Sequence, residues 1–136
     1  MYRRLFFAGF LMLSASAVSA CSSNPTSPTA TTSLNFVSRL QEKGSAWRSF
    51  KLYTAGLVAV QFTSITQSDA VMGLGLGTFD GTNCVITNNV QTAASAAVAA
   101  PQITATLPVG NYCVKISDIG NLKTIVDFSV LVTMPY

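Results

Sequence analysis

Apolar and polar residues alternate along most of the chain from residue 47 onward, which is the pattern of β-strands with one buried face. In LVAVQFT (57–63), Val58, Val60 and Phe62 share one face, and the residues between them share the other. The same alternation occurs in QITATL (102–107), YCVKIS (112–117) and IVDFSVLVT (125–133). Successive side chains of a strand point to opposite faces, so each stretch is predicted to be a half-buried strand.

Turn residues separate these stretches at short intervals. Leu107-Pro108-Val109-Gly110 fits a type I turn with Gly110 in the left-handed conformation, and we expect it to close a hairpin into Tyr112. A second turn is predicted at residues 118–121. Several short strands at this spacing predict an all-β fold, an antiparallel β-sandwich of about seven or eight strands.

Two segments are ambiguous. SLNFVSRLQEKG (33–44) fits a first strand or a short amphipathic helix, and we expect an edge strand that ends before Gln41. AASAAVAA (93–100) has high helix propensity but is too short for a helix on its own, so a loop or a single helical turn before Pro101 is expected.

The amino terminus has the organisation of an export signal. Arg3 and Arg4 are followed by a short apolar run, which is too short to cross a bilayer, and then by small residues. Val18-Ser19-Ala20-Cys21 resembles a bacterial lipobox, which implies cleavage before Cys21 and acylation of that cysteine. The alternative is an ordinary secretory signal that leaves Cys21 as a free thiol.

These features predict three regions. Residues 1–20 are a lipoprotein signal peptide, residues 21–33 a lipidated flexible tether, and residues 34–136 a β-sandwich domain. The tether has no charge and no large apolar side chain, so it cannot bury enough surface to offset the entropy of ordering. Several acyl chains would anchor the protein stably in the cell envelope. Ser22, in place of Asp, favours the outer membrane if the host has one.

Charge and cysteine content limit the classes of partner and of site that the sequence supports. The full chain has eight basic and five acidic residues, and removal of Arg3 and Arg4 with the signal leaves six against five, a net side-chain charge of +1. No basic patch remains to indicate nucleic-acid binding. Cys84 and Cys113 are left as a pair, and in an exported protein we expect them to form a disulfide rather than a metal site.

Part of the predicted domain resembles the bacterial pre-peptidase C-terminal domain. The matching features are Trp47-x-x-Phe50-x-Leu52, the turn at Gly56, and Gly110-x-Tyr112-Cys113. The resemblance implies a jelly-roll-like sandwich of eight strands that is non-catalytic, with collagen or polysaccharide as ligands in some members. This chain departs from the pattern because no enzyme is attached and the acidic cluster of calcium-binding members is lacking.

The residue types argue against catalysis and metal binding. The chain has no histidine, which removes Ser-His and Cys-His nucleophiles and histidine-ligated metals. The carboxylates are scattered, so no paired-carboxylate hydrolase is predicted, and Asp80 in DGTN is interpreted as a turn residue rather than a cation ligand. We expect no enzyme activity, no cofactor and no metal. Trp47 and Tyr53 could form a sugar-stacking platform, but Trp47 is predicted to lie in the core, with a bulge that places it and Phe50 on one face.

The glycines of VMGLGLG (71–77) have the spacing G-x-G-x-G, which differs from the G-x-G-x-x-G of dinucleotide-binding loops. On a strand, Gly73, Gly75 and Gly77 would form a bare strip opposite a buried apolar face. Such a strip admits either a neighbouring backbone or the side chain of a partner, so these glycines are a possible binding face.

Together these observations predict a membrane-anchored, exported lipoprotein that acts as a non-enzymatic binding or accessory module for a protein or polysaccharide partner of the cell envelope. The alternative is a structural subunit of a larger envelope or secretion complex without a ligand of its own.

Overall fold

A computed structural model describes residues 29–93 and 100–136. The predicted signal peptide, Cys21, most of the predicted tether and most of AASAAVAA therefore lie outside the described residues. No α-helix is found in the described part of the chain, and hence none that is long and apolar enough to cross a membrane.

Eight antiparallel strands form two four-stranded sheets that pack face to face. The strands are β1 (Thr31–Leu40), β2 (Ser45–Leu52), β3 (Gly56–Ile65), β4 (Val71–Phe79), β5 (Cys84–Ala93), β6 (Ile103–Leu107), β7 (Gly110–Asp118) and β8 (Val126–Pro135). Sheet A has the order β1-β8-β3-β6, and sheet B has the order β2-β7-β4-β5. The predicted all-β antiparallel sandwich is confirmed, and this strand order is that of a jelly roll.

The core forms where the apolar positions of the two sheets face each other. Val58, Val60 and Phe62 of β3 are completely buried, as are alternate residues of β8 from Val126 to Val132. The ring of Phe128 meets the rings of Phe36 and Phe62 edge-on, with centroids 5.4 and 6.4 Å apart. The period-two pattern therefore identified the inner faces of these strands correctly.

Most consecutive strands lie in different sheets, so the chain crosses the sandwich repeatedly. β4 and β5, joined by residues 80–83, are the one pair of consecutive strands that are hydrogen-bonded neighbours among the eight described. The predicted hairpin at residues 107–110 is therefore wrong, because β6 belongs to sheet A and β7 to sheet B.

The connection from β6 to β7 is held by a tyrosine rather than by hairpin pairing. The Tyr112 hydroxyl donates a hydrogen bond to the Pro108 carbonyl at 2.8 Å. Gly110 does not adopt the predicted left-handed conformation, since the glycines with positive φ among the described residues are Gly81 and Gly120. A tyrosine that bonds back to upstream backbone is a recurring device at sheet-to-sheet corners.

The first strand is an edge strand that ends at Leu40, as predicted for residues 33–44. It begins at Thr31, which pairs with Pro135 and lies inside the range predicted as tether.

The antiparallel strands give the sandwich two ends. We call the end that holds Thr31 the proximal end; it carries connections 53–55, 80–83 and 108–109 together with Tyr136. The opposite, distal end carries connections 41–44, 66–70 and 119–125.

Candidate functional site

The glycines of β4 lie on the outer face of sheet B, opposite the completely buried Met72 and Leu74. The closest approach is at Gly77, where a Cβ would lie 2.0 Å from the backbone oxygen of Val85. A register shift between Leu76 and Gly77 brings β5 over β4 at this point. The neighbouring backbone that the glycine strip was predicted to admit is therefore observed at Gly77.

The other two glycines meet side chains of this chain. A Cβ on Gly75 would lie 2.9 Å from Cδ1 of Ile86, and one on Gly73 would lie 2.6 Å from Oγ of Ser117. Gly75 is buried, whereas Gly73 is half-buried beside a shallow groove of about 400 Å³ that also includes Lys115. The outer face over Gly75 and Gly77 is thus occupied by β5, and the part near Gly73 stays accessible.

The disulfide reinforces the same region. Cys84 of β5 and Cys113 of β7 are bonded, with their Cα atoms 5.7 Å apart. β4 lies between these two strands in sheet B, so the bond links the strands on either side of it. Gly77 pairs with Cys113 and has no side chain to obstruct this crossing. The predicted disulfide is confirmed, and the glycine spacing has a structural explanation.

Trp47 does not lie in the core, and the predicted bulge is absent. β2 pairs with β7 without a register shift, which places Trp47 on the outer face and Phe50 on the inner side. Trp47 is 43% exposed and packs against the Phe79 ring, with centroids 5.4 Å apart. Because the register of β2 with β7 is unbroken, successive residues of β2 point to opposite faces, and Trp47 and Phe50, three residues apart, cannot share one.

A surface depression lies between the two sheets, where the edge strands β1 and β2 face each other. We call it the edge groove, and its volume is about 630 Å³. Leu34, Phe50 and Met134 contribute apolar walls that continue the hydrophobic core. Among the described strands, none pairs with the free edge of β1 or of β2. The edge groove therefore has apolar walls and lies between two open strand edges.

The rim of the edge groove is basic and aromatic. Arg48, Lys51, Tyr53 and Tyr136 line it, and no acidic side chain does. The Lys51 ammonium lies 5.0 Å from the centroid of the Tyr53 ring, a cation–π arrangement. These features suit a partner with apolar side chains and neutral or acidic flanking groups.

The carboxylate of Asp80 is engaged in local structure. Asp80 closes its own turn, accepting hydrogen bonds from the backbone N–H groups of Thr82 and Asn83 at 2.8 and 2.7 Å. These bonds hold the pKa of Asp80 below its ordinary value. No group of three histidine, cysteine or acidic side chains that could hold a metal ion occurs within residues 29–93 and 100–136.

The sequence did not indicate the edge groove. Its lining comes from β1, β2 and β8 and depends on which strands end up at the sheet edges. In the sequence, Leu34 and Phe50 are apolar residues between polar neighbours near strand ends. Ordinary core residues have the same pattern, so the sequence does not distinguish a groove lining from a core.

No protein-family model matches the chain, and no curated protein matches it. The fold is established from the strand order, and the likeness to the pre-peptidase C-terminal domain stays a prediction.

Proposed function

We propose that this chain is an exported lipoprotein, anchored in the cell envelope through Cys21, whose sandwich is a non-enzymatic binding module. The observation that carries the proposal is the edge groove, an apolar depression between two open strand edges with a basic and aromatic rim. Binding sites in proteins are usually concave and mostly apolar, with a few polar groups that orient the ligand.

The shape of the groove favours an extended segment of a protein partner. An extended peptide can add to an open sheet edge through backbone hydrogen bonds while its alternate side chains enter a pocket. Leu34 and Phe50 would receive apolar side chains, and Arg48 would meet a carboxylate at the rim. A glycan is the second candidate class, because Tyr53 at the rim is 74% exposed and offers an aromatic surface.

Blocking the groove tests the binding proposal. Thr32 is exposed and lines the groove, so Thr32→Phe should fill it without disturbing the core. Thr104→Phe is the matched control, since Thr104 is an exposed residue of β6 outside the groove lining. We expect crosslinking capture from the native envelope to recover a partner with wild type and Thr104→Phe, and to lose it with Thr32→Phe. Equal recovery by all three proteins would contradict a role for the groove.

Ligand class and anchoring are tested separately. Retention of the protein on peptidoglycan, chitin or collagen, lost in Thr32→Phe, would indicate the glycan or collagen class.

Cys21→Ser should release the protein from the membrane fraction in soluble form. If this variant stays with the membrane, the lipobox interpretation is wrong, whatever the groove binds.

A further inference from the structure

Exposed apolar and aromatic side chains form a group of four at the proximal end of the sandwich, and two further exposed apolar residues, Ile119 and Ile125, lie at the distal end. Tyr53, Leu57, Val109 and Tyr136 are 74, 60, 58 and 82% exposed. Tyr53 and Val109 lie in connections 53–55 and 108–109, Leu57 is the second residue of β3, and Tyr136 follows β8. All four positions are at the proximal end. Grouped apolar exposure of this kind marks a surface that contacts another phase or molecule.

Most acidic side chains lie at the distal end. Four of the five side-chain carboxylates of the chain are found there, namely Glu42, Asp69, Asp118 and Asp127. The fifth, Asp80, lies at the proximal end and is bonded to its own turn. Lys51 adds a basic group next to Tyr53. The proximal end therefore has few charged groups, which cancel, whereas the distal end carries four carboxylates together with Arg39, Lys43 and Lys123.

The position of the chain entry restricts which end can face the anchor. The Tyr136 N–H donates to the Ala30 carbonyl at 2.9 Å, so the chain enters the domain at the proximal end. Cys21 lies nine residue steps before Ala30, and these span about 31 Å when fully extended. A ten-residue strand such as β1 is about 33 Å long. The distal end is thus about as far from Ala30 as the fully extended segment can reach, whereas the proximal end adjoins Ala30, so an anchor at Cys21 favours membrane contact at the proximal end.

We infer that the proximal end of the sandwich rests on the lipid surface, with Tyr53, Leu57, Val109 and Tyr136 at the headgroup boundary. Tyrosine rings favour this boundary, apolar side chains enter it, and lysine is attracted to anionic lipids. This orientation rests on the proposed lipid anchor at Cys21, and it adds which surface of the domain the membrane contacts. Tyr53 and Tyr136, which also line the edge groove, would then face lipid, so a partner would bind the part of the groove lined by Leu34 and Phe50, and a glycan stacked on Tyr53 is excluded.

Depth-dependent quenching tests the orientation. The mature, lipidated chain would be reconstituted into phosphatidylethanolamine and phosphatidylglycerol vesicles with brominated acyl chains. Trp47→Phe removes the single tryptophan of the chain, and a new one is placed by Tyr53→Trp or Val109→Trp at the proximal end. Ile125→Trp is the distal control, since Ile125 is also exposed. Circular dichroism verifies that each variant folds.

We expect bromine to cause a loss of fluorescence at residues 53 and 109, and none at residue 125. Quenching at no position, in protein that floats with the vesicles, would overturn the orientation and leave the anchor intact. Quenching at residue 125, alone or together with the others, would overturn it as well. Protein that does not float with the vesicles would overturn the anchor and the orientation together.

A second pair of variants tests whether the apolar surface causes the contact. Val109→Asp, in the protein that carries Tyr53→Trp, should reduce the quenching at residue 53, because it adds a carboxylate to the surface facing anionic lipid. Ile125→Asp in the same background should leave that quenching unchanged. Equal quenching in the two variants would show that the tether alone holds the domain near the bilayer, which would overturn the inference.

Discussion

At the scale of single residues, Asp118 joins two connections at the distal end. Its Oδ2 atom accepts a hydrogen bond from the Lys43 N–H at 2.7 Å, and its Oδ1 atom accepts from the backbone N–H groups of Gly120, Asn121 and Leu122. These bonds, foremost the one from Lys43, hold the pKa of the Asp118 carboxyl below its ordinary value. The Asp118 N–H also donates to the Gly44 carbonyl.

We predict that Asp118→Asn lowers the free energy of unfolding by about 1 kcal/mol, because an amide presents one acceptor oxygen where the carboxylate presents two. Urea denaturation would measure the change. Asp80→Asn is the matched control, since the Asp80 carboxylate bonds within its own turn. Its effect should be smaller, and equal losses would contradict the linking role of Asp118.

The glycines of β4 are a second feature at this scale, and we predict that Gly77→Ala is far more damaging than Gly73→Ala. At Gly77 the added Cβ would meet backbone of β5, which cannot move without breaking strand pairing, so the expected cost is about 3 kcal/mol. At Gly73 the nearest atom is a hydroxyl oxygen that can rotate away, so the change should stay within about 1 kcal/mol. Similar unfolding free energies for both variants would refute this assignment.

At the scale of elements, the alternation of apolar residues predicted the inner faces of β3, β6, β7 and β8, but no strand was predicted where β5 lies. It could not predict which strands become neighbours, because a strand has the same alternation whether it continues in its own sheet or crosses to the other. The turn signal at residues 107–110 was correctly placed but was interpreted as a hairpin. Trp47 was misplaced for a related reason: a bulge was assumed in order to bury it, and the edge strand β2 runs without one.

The disulfide is the element-scale feature with the largest expected effect. A bond between residues 29 apart in sequence restricts the unfolded chain by about 3.6 kcal/mol on the loop-entropy model. We predict a loss of this size in Cys84→Ala/Cys113→Ala, measured by urea denaturation. Hydrogen exchange should accelerate most in β5, because β5 is an edge strand that pairs only with β4 among the described strands.

Reductant provides the control for the disulfide. It should destabilise the wild-type protein to the level of the double variant and leave the double variant unchanged. A double variant as stable as the oxidised wild type would contradict the prediction.

At the scale of the whole molecule, folding stability should be independent of pH through the neutral range. The chain has no histidine, and Cys84 and Cys113 are oxidised. The carboxyl groups of Asp69, Asp80 and Asp118 have lowered pKa values in the fold, chiefly through hydrogen bonds from Gln67, Asn83 and Lys43. A lowered pKa contributes stability that is present above the unfolded pKa of about 4 and is lost as the pH falls through the folded pKa.

We therefore predict a constant urea midpoint between about pH 6 and pH 8.5 and a decline that begins below about pH 4. Asp118→Asn should show a shallower decline, because it removes one of the contributing carboxyl groups. A transition in stability near pH 6.5 would contradict the prediction.

The sequence predicted the glycine strip of the candidate binding region but not the edge groove. The glycine strip was recognised because glycines at alternate positions of a strand require an explanation, and the structure supplies most of it from β5 and the disulfide. The edge groove was not recognised, because its walls are residues such as Leu34 and Phe50 that resemble core residues in sequence. They line a groove because β1 and β2 are edge strands that face each other.

The pairing of β1 with β8 has a consequence for how the protein folds. Thr31 pairs with Pro135, a separation of 104 residues, and among the described strands β1 pairs with β8 alone. Chains dominated by such distant pairings fold slowly, because loop-closure entropy must be overcome before the contacts form. Sheet A cannot be completed until β8 is available, so the sandwich closes around its core only after the last strand of the chain has been made.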